Sequence, residues 1–132
     1  GDTISSMVEF FGGADIELAV DLYDVPLSRY ATPTYAMPAL LVSGGSDDVW
    51  PGGGFDLVDF QAGTESLVDS LATDGHYVVH CEHDDGHLYF PSGSEEMAWE
   101  WLLDHTYGED SPYLTSGIGD FGDWCAEVET GG

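Results

Sequence analysis

The fold class that the sequence predicts is α/β: a small sheet of about three parallel strands with flanking helices, followed by an acidic, Gly-rich tail. Three observations predict it. Pro38-Ala39-Leu40-Leu41-Val42-Ser43 is a continuous apolar run closed by Gly44-Gly45, the pattern of a strand buried on both faces. A second β-rich run, His76 to Glu82 (HYVVHCE), comes later. Between the two lies a stretch of helical periodicity, and strand, helix, strand in that order predicts a parallel sheet with right-handed crossovers.

From the beginning of the chain, Ile4 to Phe11 (ISSMVEFF) is β-compatible and stops at Gly12-Gly13, which predicts a short first strand. From Ala14 to Met37 the text is mixed, and Pro26, Pro33 and Pro38 break any long element, leaving mostly loop. The segment GSDDVWPGGG after the apolar run is rich in Gly and Asp and reads as loop. Phe60, Thr64, Leu67, Val68 and Leu71 then recur at helical spacing, with Gly75 where a C′ glycine would sit. An amphipathic helix from Asp56 to Thr73 is expected. After the second run, His83-Asp84-Asp85-Gly86-His87 is a loop. Ser92 with Glu95 three residues on resembles a capping box, and Met97, Ala98, Trp101, Leu102 and His105 line one face of a last helix, Ser94 to Thr106,. Residues 1–108 are thus read as one body. The tail, residues 109–132, holds Tyr113, Ile118, Phe121 and Trp124 and is expected to pack on it.

Charge narrows the partners. The chain has 26 Asp and Glu against one basic residue, Arg29, and a formal net charge of -25. Nucleic acid and anionic membrane surfaces are excluded as natural partners, because both require Lys and Arg. Self-repulsion of this size weakens as salt shortens the Debye length from about 10 Å at 0.1 M to about 3 Å at 1 M. The melting temperature is therefore expected to climb between low and molar NaCl; a flat response would show that repulsion between the acids does not govern stability. Stability should also rise at first as pH falls from 7. Two settings suit such a chain, an acidic secreted or extracellular protein and a halophilic cytoplasm. No apolar run approaches the ~20 residues of a membrane span, and no basic n-region opens the chain,. Cys81 and Cys125 form no CxxC pair, which removes zinc-ribbon and thioredoxin-like readings. A disulfide and two separate thiols both remain open.

Chemistry gathers after the two interior strands. In open α/β sheets the site lies beyond the carboxyl ends of the strands, and there the sequence places Asp47 and Asp48 after one strand and His83 to His87 after the next. Adjacent parallel strands would present a carboxylate and an imidazole at one edge. A carboxylate that accepts a hydrogen bond from one ring nitrogen fixes the tautomer and stabilises the imidazolium formed at the other.

The residues themselves carry a resemblance. MPALLVSGGSDDVWP resembles the seventh strand and acid loop of the α/β-hydrolase superfamily, with Pro38, Gly44, Asp47, Val49 and Pro51 in the motif's register. HYVVHCEHDDGHLYFP resembles the eighth strand and its Gly-His turn, here Gly86-His87. The early strand resembles the sixth and the Ser94–Thr106 helix the family's last, so the likeness spans residues 4–108. It implies Asp47 as catalytic acid and His87 as catalytic base of a Ser-His-Asp triad that hydrolyses carboxylic esters or related acyl bonds. An esterase or polyester depolymerase is preferred to a peptidase, with a small-molecule or polymeric ester as substrate and no cofactor or metal. Trp50 and Tyr89, close behind the acid and the base, are candidate walls of the substrate cleft. Asp48 falls one residue out of register.

The family's Gly-x-Ser-x-Gly elbow occurs nowhere in the chain,. The resemblance therefore implies a hydrolase fragment, whose nucleophile and oxyanion hole lie upstream of Gly1. Its partner would be the missing N-terminal half of its own domain, and its unpaired sheet edge should make it aggregation-prone alone. Two alternatives stand beside this reading. One is a non-catalytic α/β binding module or decayed fragment. The lesser one is a metal site built from His80, Cys81, His83, Asp84, Asp85 and His87. A β-prone segment, however, would point His80 and His83 to opposite sides.

Overall fold

The structure is a computed structural model and describes residues 6–10, 31–32, 34–51, 57–87 and 89–130. Its elements are β1 (Met7–Phe10), β2 (Ala39–Ser43), β3 (Val49–Trp50), β4 (Val58–Asp59), α1 (Phe60–Thr73), β5 (Val78–Glu82), α2 (Ser94–Asp104), α3 (Tyr113–Ser116) and β6 (Cys125–Val128), with 3₁₀ turns at Gly45–Asp47 and Gly119–Phe121. The class is mixed α/β, with a small, mostly parallel sheet in the order β1-β2-β5-β6. Strand β2 pairs in parallel with β1 on one side, Met7 opposite Ala39, and with β5 on the other, Ser43 opposite Glu82. All five of its residues are buried, as a strand covered on both faces requires. The Gly12-Gly13 stop and Pro26 of the following loop lie outside the described residues.

Alternation along the strands sorts the core into two layers. Ala39, Leu41 and Val78 face Leu67, Val68 and Leu71 of α1; Leu40, Val42, Val79 and Cys81 face Met97 and Trp101 of α2 together with Phe121. Each fully buried Leu or Val contributes roughly 1.5–3 kcal/mol. Helix α1 ends in a Schellman motif: the Gly75 N–H donates to the Ala72 carbonyl and the His76 N–H to that of Leu71, with Gly75 at φ +87,.

Several details differ from the sequence reading. Helix α1 starts at Phe60 because the Asp59 carboxylate caps it, accepting the Ala62 N–H at 2.9 Å,. Upstream, Val58-Asp59 pairs antiparallel with Val49-Trp50, so a short two-stranded sheet replaces part of the expected loop and helix. The capping box on Ser92 does not form: Gly93 at φ 85 is the cap, and the Ser94 hydroxyl donates to the Pro91 carbonyl at 2.6 Å. At the far end α2 stops at Asp104, where His105 Nδ1 lies 2.7 Å from the Trp101 carbonyl and Nε2 2.8 Å from the Ser111 hydroxyl. On the expected face Met97, Trp101 and His105 are buried, whereas Leu102 is 41% exposed. It sits about 100° around the helix from Trp101, off the line that meets the sheet.

The tail adds an element absent from the sequence reading. Strand β6 pairs antiparallel with β5 and closes that edge of the sheet. Cys81 and Cys125 stand opposite each other in this ladder and form a disulfide. Tyr113, Ile118 and Trp124 pack against the α2-side core, and Trp101 is stacked between Tyr77 at 6.1 Å and Tyr113 at 5.4 Å.

Burial sets part of the pH response. It pushes the imidazoles of His80 and His105 below their ordinary value of 6.5, so the unfolded chain binds those protons more readily and stability is lost as pH falls through that value. Glu9 acts the other way, because burial raises its carboxyl above 4.5 and protonation then favours the fold. Relief of acid repulsion is thus expected to raise the melting temperature just below pH 7 and to be blunted below about pH 6.5. An unbroken rise from pH 7 to pH 5 in a thermal melt would show that the two histidines count for little.

Candidate active site

Two loops meet at the carboxyl ends of β2 and β5, and glycines let them touch. The His83 N–H donates to the Ser43 carbonyl and the Gly86 N–H to that of Gly44, each at 3.0 Å. A Cβ on Gly44 would stand 2.4 Å from the Gly86 carbonyl oxygen, so no larger residue fits there without parting the loops. Gly86 adopts φ +78, a conformation that L side chains rarely take. Gly44→Ala is therefore expected to cost on the order of 1–3 kcal/mol, while Gly119→Ala, which meets nothing within 4 Å, serves as its control in the same thermal melts. Equal stabilities would mean that the loops part without cost.

The acid loop turns once before Asp48. Residues Gly45–Asp47 form a 3₁₀ turn closed by the Asp48 N–H on the Gly45 carbonyl at 2.9 Å. This turn leaves Asp47 exposed, its backbone and Cβ facing Gly86, and carries Asp48 inward to 0% exposure. Asp48 Oδ1 lies 2.7 Å from His87 Nδ1 and Oδ2 accepts the Gly44 N–H at 2.8 Å. The acid paired with His87 is thus Asp48 and not Asp47. The glycine pair explains the shift: Gly45, at φ +79, lets the loop take one more residue before the side chain turns in. A count made from Gly44 alone stops one residue short.

His87 is where the sequence reading placed it, at the end of the Gly-His turn, with its side chain 18% exposed. The imidazole lies flat on the Phe60 ring, with centroids 4.1 Å apart and planes at 13°. An imidazole engaged at Nδ1, as His87 is with Asp48, can exchange a proton only through Nε2,. Asp48 is held at the start of α1 as well, its carbonyl accepting the Phe60 N–H at 2.9 Å and the Gln61 N–H at 3.2 Å. With Arg29 the chain's single cation, the buried carboxylate is met by two N–H groups, a charge-assisted arrangement.

Trp50 and Tyr89 are 53% and 47% exposed. Tyr89 stands edge-on to His83 with centroids 5.8 Å apart, and the ring that lies on the His87 imidazole is that of Phe60. The metal alternative is not met by the geometry. Cys81 is bridged, His80 Nε2 lies 2.8 Å from the Ser43 hydroxyl, and His87 Nδ1 faces Asp48; among the described residues no three His, Cys, Asp or Glu side chains gather as ligands. Sequence reasoning missed Asp48 as the partner and saw Phe60 only as part of a helix face. Its one available signal for Asp48 was the doubled glycine. Set against protein-family models, curated proteins and solved structures, the chain matches none.

Proposed function

We propose that the chain supplies the acid, Asp48, and the base, His87, of a Ser-His-Asp machine for hydrolysing carboxylic esters, on a sheet equivalent to the last three parallel strands of an α/β-hydrolase. The observation that carries the reading is the fully buried Asp48 carboxylate, one oxygen on His87 Nδ1 and the other on the Gly44 N–H. In this mechanism Asp48 accepts the Nδ1–H and leaves Nε2 with its lone pair. Nε2 takes the proton of a nucleophilic hydroxyl as that oxygen attacks the ester carbonyl, Asp48 stabilises the imidazolium, and the proton then passes to the leaving alcohol. Water, activated in the same way, releases the acid.

The nucleophile belongs to polypeptide beyond these 132 residues, since no Gly-x-Ser-x-Gly elbow occurs within them,. A neutral ester suits the setting better than an anionic one at a net charge of -25,, and Trp50, Tyr89 and Phe90 offer exposed apolar surface on the segments that follow the acid and the base. The Cys81–Cys125 disulfide favours an oxidising, extracellular setting over a cytoplasmic one.

The absent elbow favours a second reading, a binding module that keeps the fold without the chemistry. The deciding experiment uses the full-length protein that carries this chain, assayed with short-chain p-nitrophenyl esters and a serine-directed fluorophosphonate. Turnover and labelling that are lost in His87→Ala and Asp48→Asn support the hydrolase. A folded wild-type protein that neither turns over nor labels leaves the binding module.

A further inference from the structure

We infer that Phe60 is a positioning residue for the acid–base pair, an inference that rests on the proposed roles of Asp48 and His87. It touches both members. Its backbone N–H donates to the Asp48 carbonyl at 2.9 Å, and its ring lies on the His87 imidazole at 4.1 Å and 13°. Rocking of an imidazole about its Nδ1···Oδ1 line swings Nε2 most. A flat ring against its face closes that rotation.

Phe60 itself is held at several points. Asp59 caps its helix through the Ala62 N–H. Next to it, the Gln61 side-chain oxygen accepts the Gly45 N–H at 3.0 Å, and its amide donates to Glu65 and Glu82. The helix start is thereby tied to the acid loop and to the end of β5. A core-filling role does not account for the ring, since Phe60 is only partly buried and belongs to neither apolar cluster of the described residues.

Phe60→Leu and Phe60→Tyr in the histidine-selectively ¹⁵N-labelled full-length protein test the assignment. Leu keeps apolar volume and helix propensity but removes the aromatic face; Tyr keeps the face. In Phe60→Leu the upfield ring-current displacement of the His87 ring protons should vanish and its Nδ1–H should exchange faster with water. Turnover should fall roughly 10- to 100-fold, the scale of a misplacement near 1 Å, with KM little changed. Phe60→Tyr should restore all three. Wild-type exchange and kcat in Phe60→Leu would overturn the inference, and so would a loss that Tyr fails to rescue. If the wild-type protein turns over no ester while Phe60→Leu shifts the His87 signals and Phe60→Tyr restores them, the hydrolase reading fails and the positioning of His87 by Phe60 stands.

Discussion

On the proposed hydrolase reading, Asp48→Asn is expected to lower ester turnover by about 10⁴, the cost of the same exchange in the Ser-His-Asp template, while Asp47→Asn leaves it near wild type. The geometry supplies the reason. Asp48 presents one oxygen to His87 Nδ1 and the other to the Gly44 N–H, and an amide has a single oxygen to offer two donors. If that oxygen serves Gly44, the amide NH₂ faces the imidazole and demands the wrong tautomer; if it serves His87, NH₂ meets N–H at Gly44. Neither arrangement stabilises an imidazolium, and the loss corresponds to about 5 kcal/mol of transition-state stabilisation. Asp47 is exposed, so its amide changes only the local field. Steady-state kinetics on both variants, with circular dichroism to establish folding, separates the cases. Equal losses would mean that the acidic field of the loop matters rather than one carboxylate, and a loss confined to Asp47→Asn would overturn the site described above.

The second large effect is on stability. Replacing both Cys81 and Cys125 with Ala is expected to cost about 4 kcal/mol, the loop-closure entropy for the 44-residue separation of the bridge,. For a chain of this size that lowers the melting temperature on the order of 10–20 °C. The bridge joins β5 to the edge strand β6, whereas the acid–base pair spans the β2 and β5 loops, so the pair should outlast the bridge. A melting temperature equal to that of the oxidised protein would show that β6 is held by its ladder and by the Tyr77–Glu127 hydrogen bond without help from sulfur.

The sequence made the sheet's centre legible and its edge illegible, for a physical reason. Leu40, Leu41 and Val42 are apolar in succession because both faces of β2 are covered, and Pro38 and Gly44-Gly45 hold the run to the length of a strand,. The strand CAEV of β6 carries exposed Ala126 and Glu127, so hydrophobicity cannot mark it; an edge strand is defined by its partner. Gly75 announced the end of α1 through the conformation it must adopt, whereas Asp59, one acid among many, gave no sign that it would cap the start. Within the site, the Gly86-His87 pair was legible because a turn of positive φ and a titratable ring adjoin in sequence. Asp47 and Asp48 are chemically identical neighbours, and only the inward rotation after the Gly45–Asp47 turn separates them. The stacking of Phe60 on His87 crosses 27 positions of sequence, since residues 60 and 87 meet only once β2 and β5 pair.

Strand β2 has both of its edges paired and every residue buried, and this sets the order in which the molecule opens. Backbone amides in such a strand exchange with solvent only when the cooperative unit as a whole gives way, whereas terminal strands and tails fray at lower free energy. The loops that carry Asp48 and His87 spring directly from β2 and β5. Opening that begins at β6, on the far side of β5 from β2, would leave the dyad assembled,.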